Sequence, residues 1–263
     1  MDGKTHGLTR GELTNHSLLV ETSSGLVLVD TGFGINDVHN PRGRISDFFL
    51  QALKPDFKEK SLTAYHQIIQ LGFDPKDVRD IVLTHLDFDH AGGLDDFPWA
   101  RVHMLHHEKK SALAQKTWLD RQRYRPQQWG SKDNWLTYEI THGEGWFGFN
   151  KVQELEGIHP DIVLVPLLGH TLGHCGVAIK ENDKWFLNAG DAYFYHAEMY
   201  EEPHCTPGLW AYQRMMDKDH NLRVKNQSRL RSLKVSRSDE IEIFCSHDPR
   251  EFEKLASMQV TNN

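Results

Sequence analysis

Two aliphatic, β-branched runs, Leu18-Leu19-Val20-Glu21-Thr22 and Leu26-Val27-Leu28-Val29, flank Ser23-Ser24-Gly25 and so predict an opening β-hairpin. Lys60 to Leu71 carries Leu62, Tyr65, Ile68 and Ile69 at helical spacing and stops before Gly72, which predicts a helix with a glycine just beyond its end. Asp74-Pro75 has the order of a capping residue and a first-turn proline, so a short helix is expected there, delivering the chain to the buried strand Ile81-Val82-Leu83. Arg101 to Leu105 alternates as another strand, and His107 to Lys116 starts as a helix.

The second half repeats this grammar. Ile162 to Pro166, Gly176 to Lys180 and Lys184 to Asn188 read as three short strands. Gln213 to Val235 reads as mostly helical, Glu240 to Cys245 as a final strand with Cys245 buried, and Pro249 to Met258 as a closing helix. Two strand-rich halves with helices outside them imply layered α/β packing. Between the halves, residues 117–148 have no clean period but hold Trp118, Tyr124, Trp129, Trp135, Tyr138 and Trp146. Such a stretch is either an insertion closing its own small cluster or a cap that lends apolar walls to a pocket. Gly143-Glu144-Gly145 is its one flexible-looking joint; without a linker or repeat, a single domain over 1–263 is expected.

Composition narrows the function classes. The 263 residues carry 37 acidic against 30 basic side chains, and a net charge of −7 offers no general attraction for nucleic acid or anionic lipid. The polar lead Met1 to His6 lacks the apolar core of a signal peptide and no stretch reaches membrane-span length, so a cytoplasmic protein is expected. Three scattered cysteines exclude a disulfide framework or a cysteine zinc site. A small-molecule partner is expected, with the chain a monomer or homodimer.

The chemistry concentrates where strands end. Thr84-His85-Leu86-Asp87-Phe88-Asp89-His90-Ala91-Gly92-Gly93 puts two imidazoles and two carboxylates directly after a buried strand, and such a set calls for a cation to hold it. His170 and His174 follow the strand at Val163 to Val165, Asp191 follows Phe186-Leu187, and His247 follows Ile243 to Cys245. Strand ends are where rigid scaffolds present reactive groups. His103, His106, His107 and His196 have no place in this pattern and are expected at the surface or a pocket rim.

In order and spacing these motifs resemble those of the metallo-β-lactamase superfamily, from about Asn15 to His247. The resemblance implies a four-layer αββα sandwich of two mixed β-sheets with helices outside. It further implies two divalent ions, one held by His85, the residue at 87 and His170, the other by Asp89, His90 and His247, with Asp191 bridging them. Zinc is the first expectation. Val29-Asp30-Thr31-Gly32 matches the family's early motif, whose Asp supports a ligand imidazole, although Asp30 could equally end its strand by a turn. His174 is expected to support its neighbours or the fold rather than to ligate.

Asp87 departs from the family pattern, which has a histidine there. A hard carboxylate opens the site to iron or manganese, or Asp87 has left the ligand set and points to solvent. The resemblance implies hydrolysis by a metal-bridging hydroxide of an ester, lactone (acyl-homoserine lactones included) or thioester bond, with Asp89 passing a proton to the leaving group. Lactonases of the family place a Tyr three residues after the bridging Asp; here that residue is Phe194, with Tyr193 and Tyr195 beside it as candidate catalytic groups. A diiron oxidoreductase with a separate electron donor, similar to flavodiiron proteins that carry Glu at this position, and a non-catalytic binding module on the same fold are the competing readings.

Overall fold

The computed structural model describes residues 11–131, 133–140, 145–149 and 151–260; the polar lead Met1 to His6 and residues 143 and 144 of the glycine joint lie outside them. Ser17–Glu139 form one compact unit, and the described residues of Met1–His16 and Ile140–Asn263 form another.

The Ser17–Glu139 unit is built on a five-stranded mixed sheet in the order β1-β2-β3-β4-β5. The hairpin of β1 (Leu18–Thr22) and β2 (Gly25–Val29) turns through Ser23-Ser24, with Thr22 opposite Gly25. Then β3 (Val78–Val82), β4 (Arg101–Leu105) and β5 (Trp135–Tyr138) add in parallel. Its helices are α1 (Ile35–His39), α2 (Pro41–Arg44), α3 (Asp47–Leu53), α4 (Ala64–Gln70), α5 (His106–Ala114) and α6 (Trp118–Arg123). The helix expected over Lys60 to Leu71 is broken at Thr63, whose extended backbone separates a 3₁₀ turn from α4. Asp74 accepts from the Lys76 N–H at 2.9 Å and starts the expected short turn, here a 3₁₀ turn over Pro75–Asp77.

Leu28, Ile81, Leu83, Val102 and Met104 pack the core of this unit together with Tyr124, Trp129 and Trp135. Part of the aromatic stretch therefore joins the main core, and β5 completes the sheet, instead of closing a cluster of its own. His103, expected at the surface or a rim, is fully buried on β4, with Nε2 2.9 Å from Asp80 Oδ1 and Nδ1 2.8 Å from Tyr138 Oη. A strand that is covered on both faces has no outward position for it, and two polar partners make burial tolerable.

The other unit holds a five-stranded mixed sheet in the order β10-β9-β8-β7-β6. Its strands are β6 (Gln153–Glu154), β7 (Ile162–Pro166), β8 (Cys175–Glu181), β9 (Lys184–Asn188) and β10 (Ile241–Phe244), with β9 and β10 parallel and the other pairs antiparallel. Its helices are α7 (Pro207–Met216), α8 (His220–Ser236) and α9 (Pro249–Val260). The single helical region read over Gln213 to Val235 is two helices, because Asp219 caps α8 at the Leu222 N–H and the Lys218 and Asp219 N–H groups both donate to Gly169 O. The two mixed sheets with helices are the fold class the sequence implies.

A buried network fastens the glycine-rich segment after His90. Arg44 Nε donates to Asp37 Oδ1 at 2.9 Å and its Nη2 to Asp95 Oδ1 at 2.8 Å, while Asp96 Oδ2 accepts the Ile35 N–H at 2.9 Å. A Cβ on Gly92 would lie 2.4 Å from Asp37 Oδ2, so only glycine allows this approach. Burial, then the nearby carboxylates Asp95 and Asp37, push the Asp96 carboxyl up to about 7. A folded pKa above the unfolded value means that stability is fully present below about pH 4 and is lost as pH rises through about 7. Asp96→Asn, whose amide oxygen still accepts from Ile35, is therefore expected to gain on the order of 2 kcal/mol over the native protein at pH 8, after discounting for partial exposure. Urea midpoints of both proteins from pH 5 to 8.5 check this; parallel curves would refute it.

Candidate functional site

Parallel pairing of β2 with β3 sets Val29 opposite Val82, so Asp30 and the Thr84-His85 pair emerge together at one sheet edge. Asp30 takes a left-handed conformation, φ 53°, which Asp tolerates better than most residues, and turns its carboxylate back onto the segment that follows β3. It accepts from Thr84 N at 2.8 Å and Thr84 Oγ1 at 2.7 Å, and its Oδ2 lies 2.9 Å from His90 Nδ1. Ending a strand and supporting an imidazole are thus one role for Asp30.

These bonds fix tautomers. Because Thr84 Oγ1 gives its proton to Asp30, its lone pair receives the Nδ1–H of His85 at 2.9 Å, and His90 likewise spends Nδ1–H on Asp30. Both rings then present a basic Nε2, the arrangement that ligating histidines usually show. Asp87 is buried, with Oδ2 3.4 Å from His85 Nε2; it does not point to solvent. Asp89 is partly exposed, with Oδ1 4.0 Å from His90 Nε2.

The unit containing His170, Asp191 and His247 uses the same device. Register places Phe244 opposite Asn188 in parallel β10 and β9, so His247 and Asp191, each three residues beyond its register partner, leave the same edge. His247 Nδ1–H donates to Thr14 O at 2.8 Å, which directs Nε2 to Asp191 Oδ1 at 3.1 Å. His170 Nε2 lies 3.3 Å from the other oxygen, Asp191 Oδ2. His174 donates from Nδ1 to Leu167 O and accepts the Asp191 N–H at Nε2, both at 2.9 Å, so both ring nitrogens are spent on tying the His170 loop to the Asp191 loop.

The tyrosines flanking Phe194 differ in surroundings. Tyr193 is fully buried in the core of its unit, where its hydroxyl donates to the Glu251 carboxylate at 2.9 and 3.0 Å; burial, then the Glu251 charge, raises its pKa well above the ordinary phenol value. Tyr195 packs edge-on to the rings of His196 and His204, and Phe194 stacks on His247 with centroids 4.9 Å apart. His196, expected at the surface or a rim, is buried, with Nδ1 2.7 Å from Asp248 Oδ2. His107 is exposed and His106 partly so, as expected. Thr84, Thr14 and Arg123, which grip His85, His247 and Asp87, were not read as site residues: Thr84 opens the metal-rich segment but offers no ligand of its own, and only the folded chain brings Thr14 to position 247 or Arg123 to position 87.

The donor chemistry fits a divalent cation. Two ligand atoms on one tetrahedral ion with bonds of about 2.0–2.1 Å stand roughly 3.3 Å apart, the spacing of the His170–Asp191, His247–Asp191 and His85–Asp87 pairs. Among the described residues no helix is long and apolar enough to cross a membrane.

Comparison with known proteins agrees with this chemistry. A probable metallo-hydrolase of Mycobacterium tuberculosis is 42% identical over 235 residues, covering 89% of this chain and 74% of the relative. An N-acyl homoserine lactonase of Bacillus thuringiensis is 27% identical over 177 residues, covering 66% of this chain and 62% of the lactonase. Among solved structures, an N-acyl homoserine lactone hydrolase with N-hexanoyl-L-homoserine bound at its catalytic metal centre superposes with a TM-score of 0.66 at 22% identity, covering 94% of this chain and 87% of that one. A probable metal-dependent hydrolase from Staphylococcus aureus gives a TM-score of 0.67 at 19% identity, covering 90% and 75%. The profile of the metallo-beta-lactamase superfamily matches residues 10–236, and the chain belongs to that superfamily.

Proposed function

We propose that this chain is a binuclear metal-dependent hydrolase, a single domain that opens an ester, lactone or thioester bond of a small molecule. His85, Asp87, His170 and Asp191 hold one ion, and Asp89, His90 and His247 hold the other. The observation that carries this reading is Asp191, whose two oxygens each face the Nε2 of a different histidine, as a bridging carboxylate requires. When bound, the ions supply a water acidic enough to attack near neutral pH and polarise the oxygen that becomes negative. Zinc heads the candidate metals.

The chain's own residues do the rest. Asp30, Thr84 and Thr14 O hold three imidazoles in the tautomer that leaves Nε2 basic. Asp89, partly open to solvent beside His90, is placed to carry a proton to the leaving oxygen or sulfur. Phe194 contributes an apolar face on His247 with no hydroxyl, so a substrate carbonyl receives no hydrogen bond from that position. The names of the lactonase relatives favour lactones within the ester class.

The test is metal analysis beside a panel of lactones, linear esters, thioesters and phosphodiesters. Two ions per chain and chelator-sensitive hydrolysis of the first three classes are expected. Metal-loaded protein that cleaves only phosphodiesters, or none of the panel, would overturn the reading.

A further inference from the structure

Asp87, the residue that departs from the family pattern, meets a cation that no motif announces. Arg123, at the last position of α6, is fully buried; its Nε donates to Asp87 Oδ1 at 2.6 Å and its Nη2 to Asp87 Oδ2 at 2.5 Å. The backbone reinforces this fork, since the Phe88 N–H donates to Arg123 O at 3.1 Å and Asp87 forms a β-bridge with Tyr124. Glu108, buried in the first turn of α5, accepts the Leu86 N–H at 3.0 Å and is a second carboxylate whose charge acts on the guanidinium.

We propose that Arg123 sets the metal preference of the ion held through His85 and Asp87, making the Asp87–Arg123 pair a stand-in for a neutral imidazole. The inference rests on the metal-centre reading above. A lone carboxylate would add one negative charge and a choice of one- or two-oxygen binding, both of which favour harder ions such as manganese over zinc. The guanidinium fork offsets much of that charge at the Asp87 oxygens it touches, draws electron density from both and takes one lone pair from each. Each oxygen keeps one lone pair, and the oxygen that lies beside His85 Nε2 is Oδ2, at 3.4 Å, so donation through it resembles the one-point donation of the histidine that stands here elsewhere in the superfamily. Arg123 is thus a positioning residue: it acts on the ion through Asp87.

The experiment measures Zn(II) and Mn(II) dissociation constants on the full chain by competition with a chelating dye, for the native protein, R123Q, R123K and the double variant D87H/R123Q. In R123Q, preference for zinc over manganese is expected to fall by about tenfold or more, and in R123K by a smaller factor of about three, because a point charge replaces the fork. In D87H/R123Q, which restores a neutral donor at position 87, zinc preference is expected at or above the native value; Glu108 keeps the Leu86 N–H as its partner there. An unchanged preference in R123Q and R123K, each still binding metal, would make Arg123 a purely structural partner and overturn the inference. Should R123Q fail to fold, R123K decides alone. If the native protein binds neither ion, the metal-centre reading itself falls and takes this inference with it, a result distinguishable because it precedes any variant.

Discussion

Asp191→Ala is expected to lower turnover by more than about 100-fold, beyond what losing an outer support typically costs, and to reduce bound metal below two ions per chain. The reason is local. His170 Nε2 and His247 Nε2 lie 3.3 and 3.1 Å from the two oxygens that the substitution removes, so the proposed pair of ions would lose its shared ligand. The fold should survive, since the bond that ties this loop to His174 is made by the backbone N–H of residue 191, which alanine retains. Steady-state kinetics with elemental analysis and circular dichroism check the three parts together. Native turnover in a folded variant that still carries two ions would rule out the bridging role.

Gly169→Ala should be the most damaging small change outside the proposed ligands. Gly169 has φ 137°, a conformation open almost only to glycine, and an added Cβ would sit 2.3 Å from Arg223 N and 2.6 Å from Arg223 Cα. Neither neighbour can yield easily. Arg223 is buried in the first turn of α8, bonded to Asp217, Gln213 and Ala192 O, while Gly169 O accepts from Lys218 and Asp219. Overlap with rigid backbone plus dihedral strain is expected to cost about 3–5 kcal/mol and to displace the adjacent His170, weakening metal binding as well. Gly72→Ala is the matched control. It also has positive φ, 90°, but nothing lies within 4 Å, so about 1 kcal/mol of dihedral cost is expected. Urea midpoints of the two variants check the contrast, and equal losses would show that the contact with Arg223 is not what requires glycine at 169.

The chain alone determined the elements whose cause is local. Alternating or β-branched runs such as Arg101–Leu105, Ile162–Pro166 and Lys184–Asn188 appear with the bounds the sequence predicts, and the Asp74-Pro75 start is realised, because side-chain period and turn chemistry act over a few residues. The motif residues were legible for the same reason: each follows a strand that can be read directly. Tertiary structure decided the rest. The breaks at Thr63 and at Asp217–Asp219, the burial of His103 and His196, the place of Trp129 and Trp135 in the main core, and the grip of Arg123, Thr84 and Thr14 depend on partners remote in the chain or on packing. A sequence exposes which groups are available and how each segment is patterned; whether a buried charge is cancelled, and by which side chain, is fixed only when folding removes water and leaves that charge no other partner.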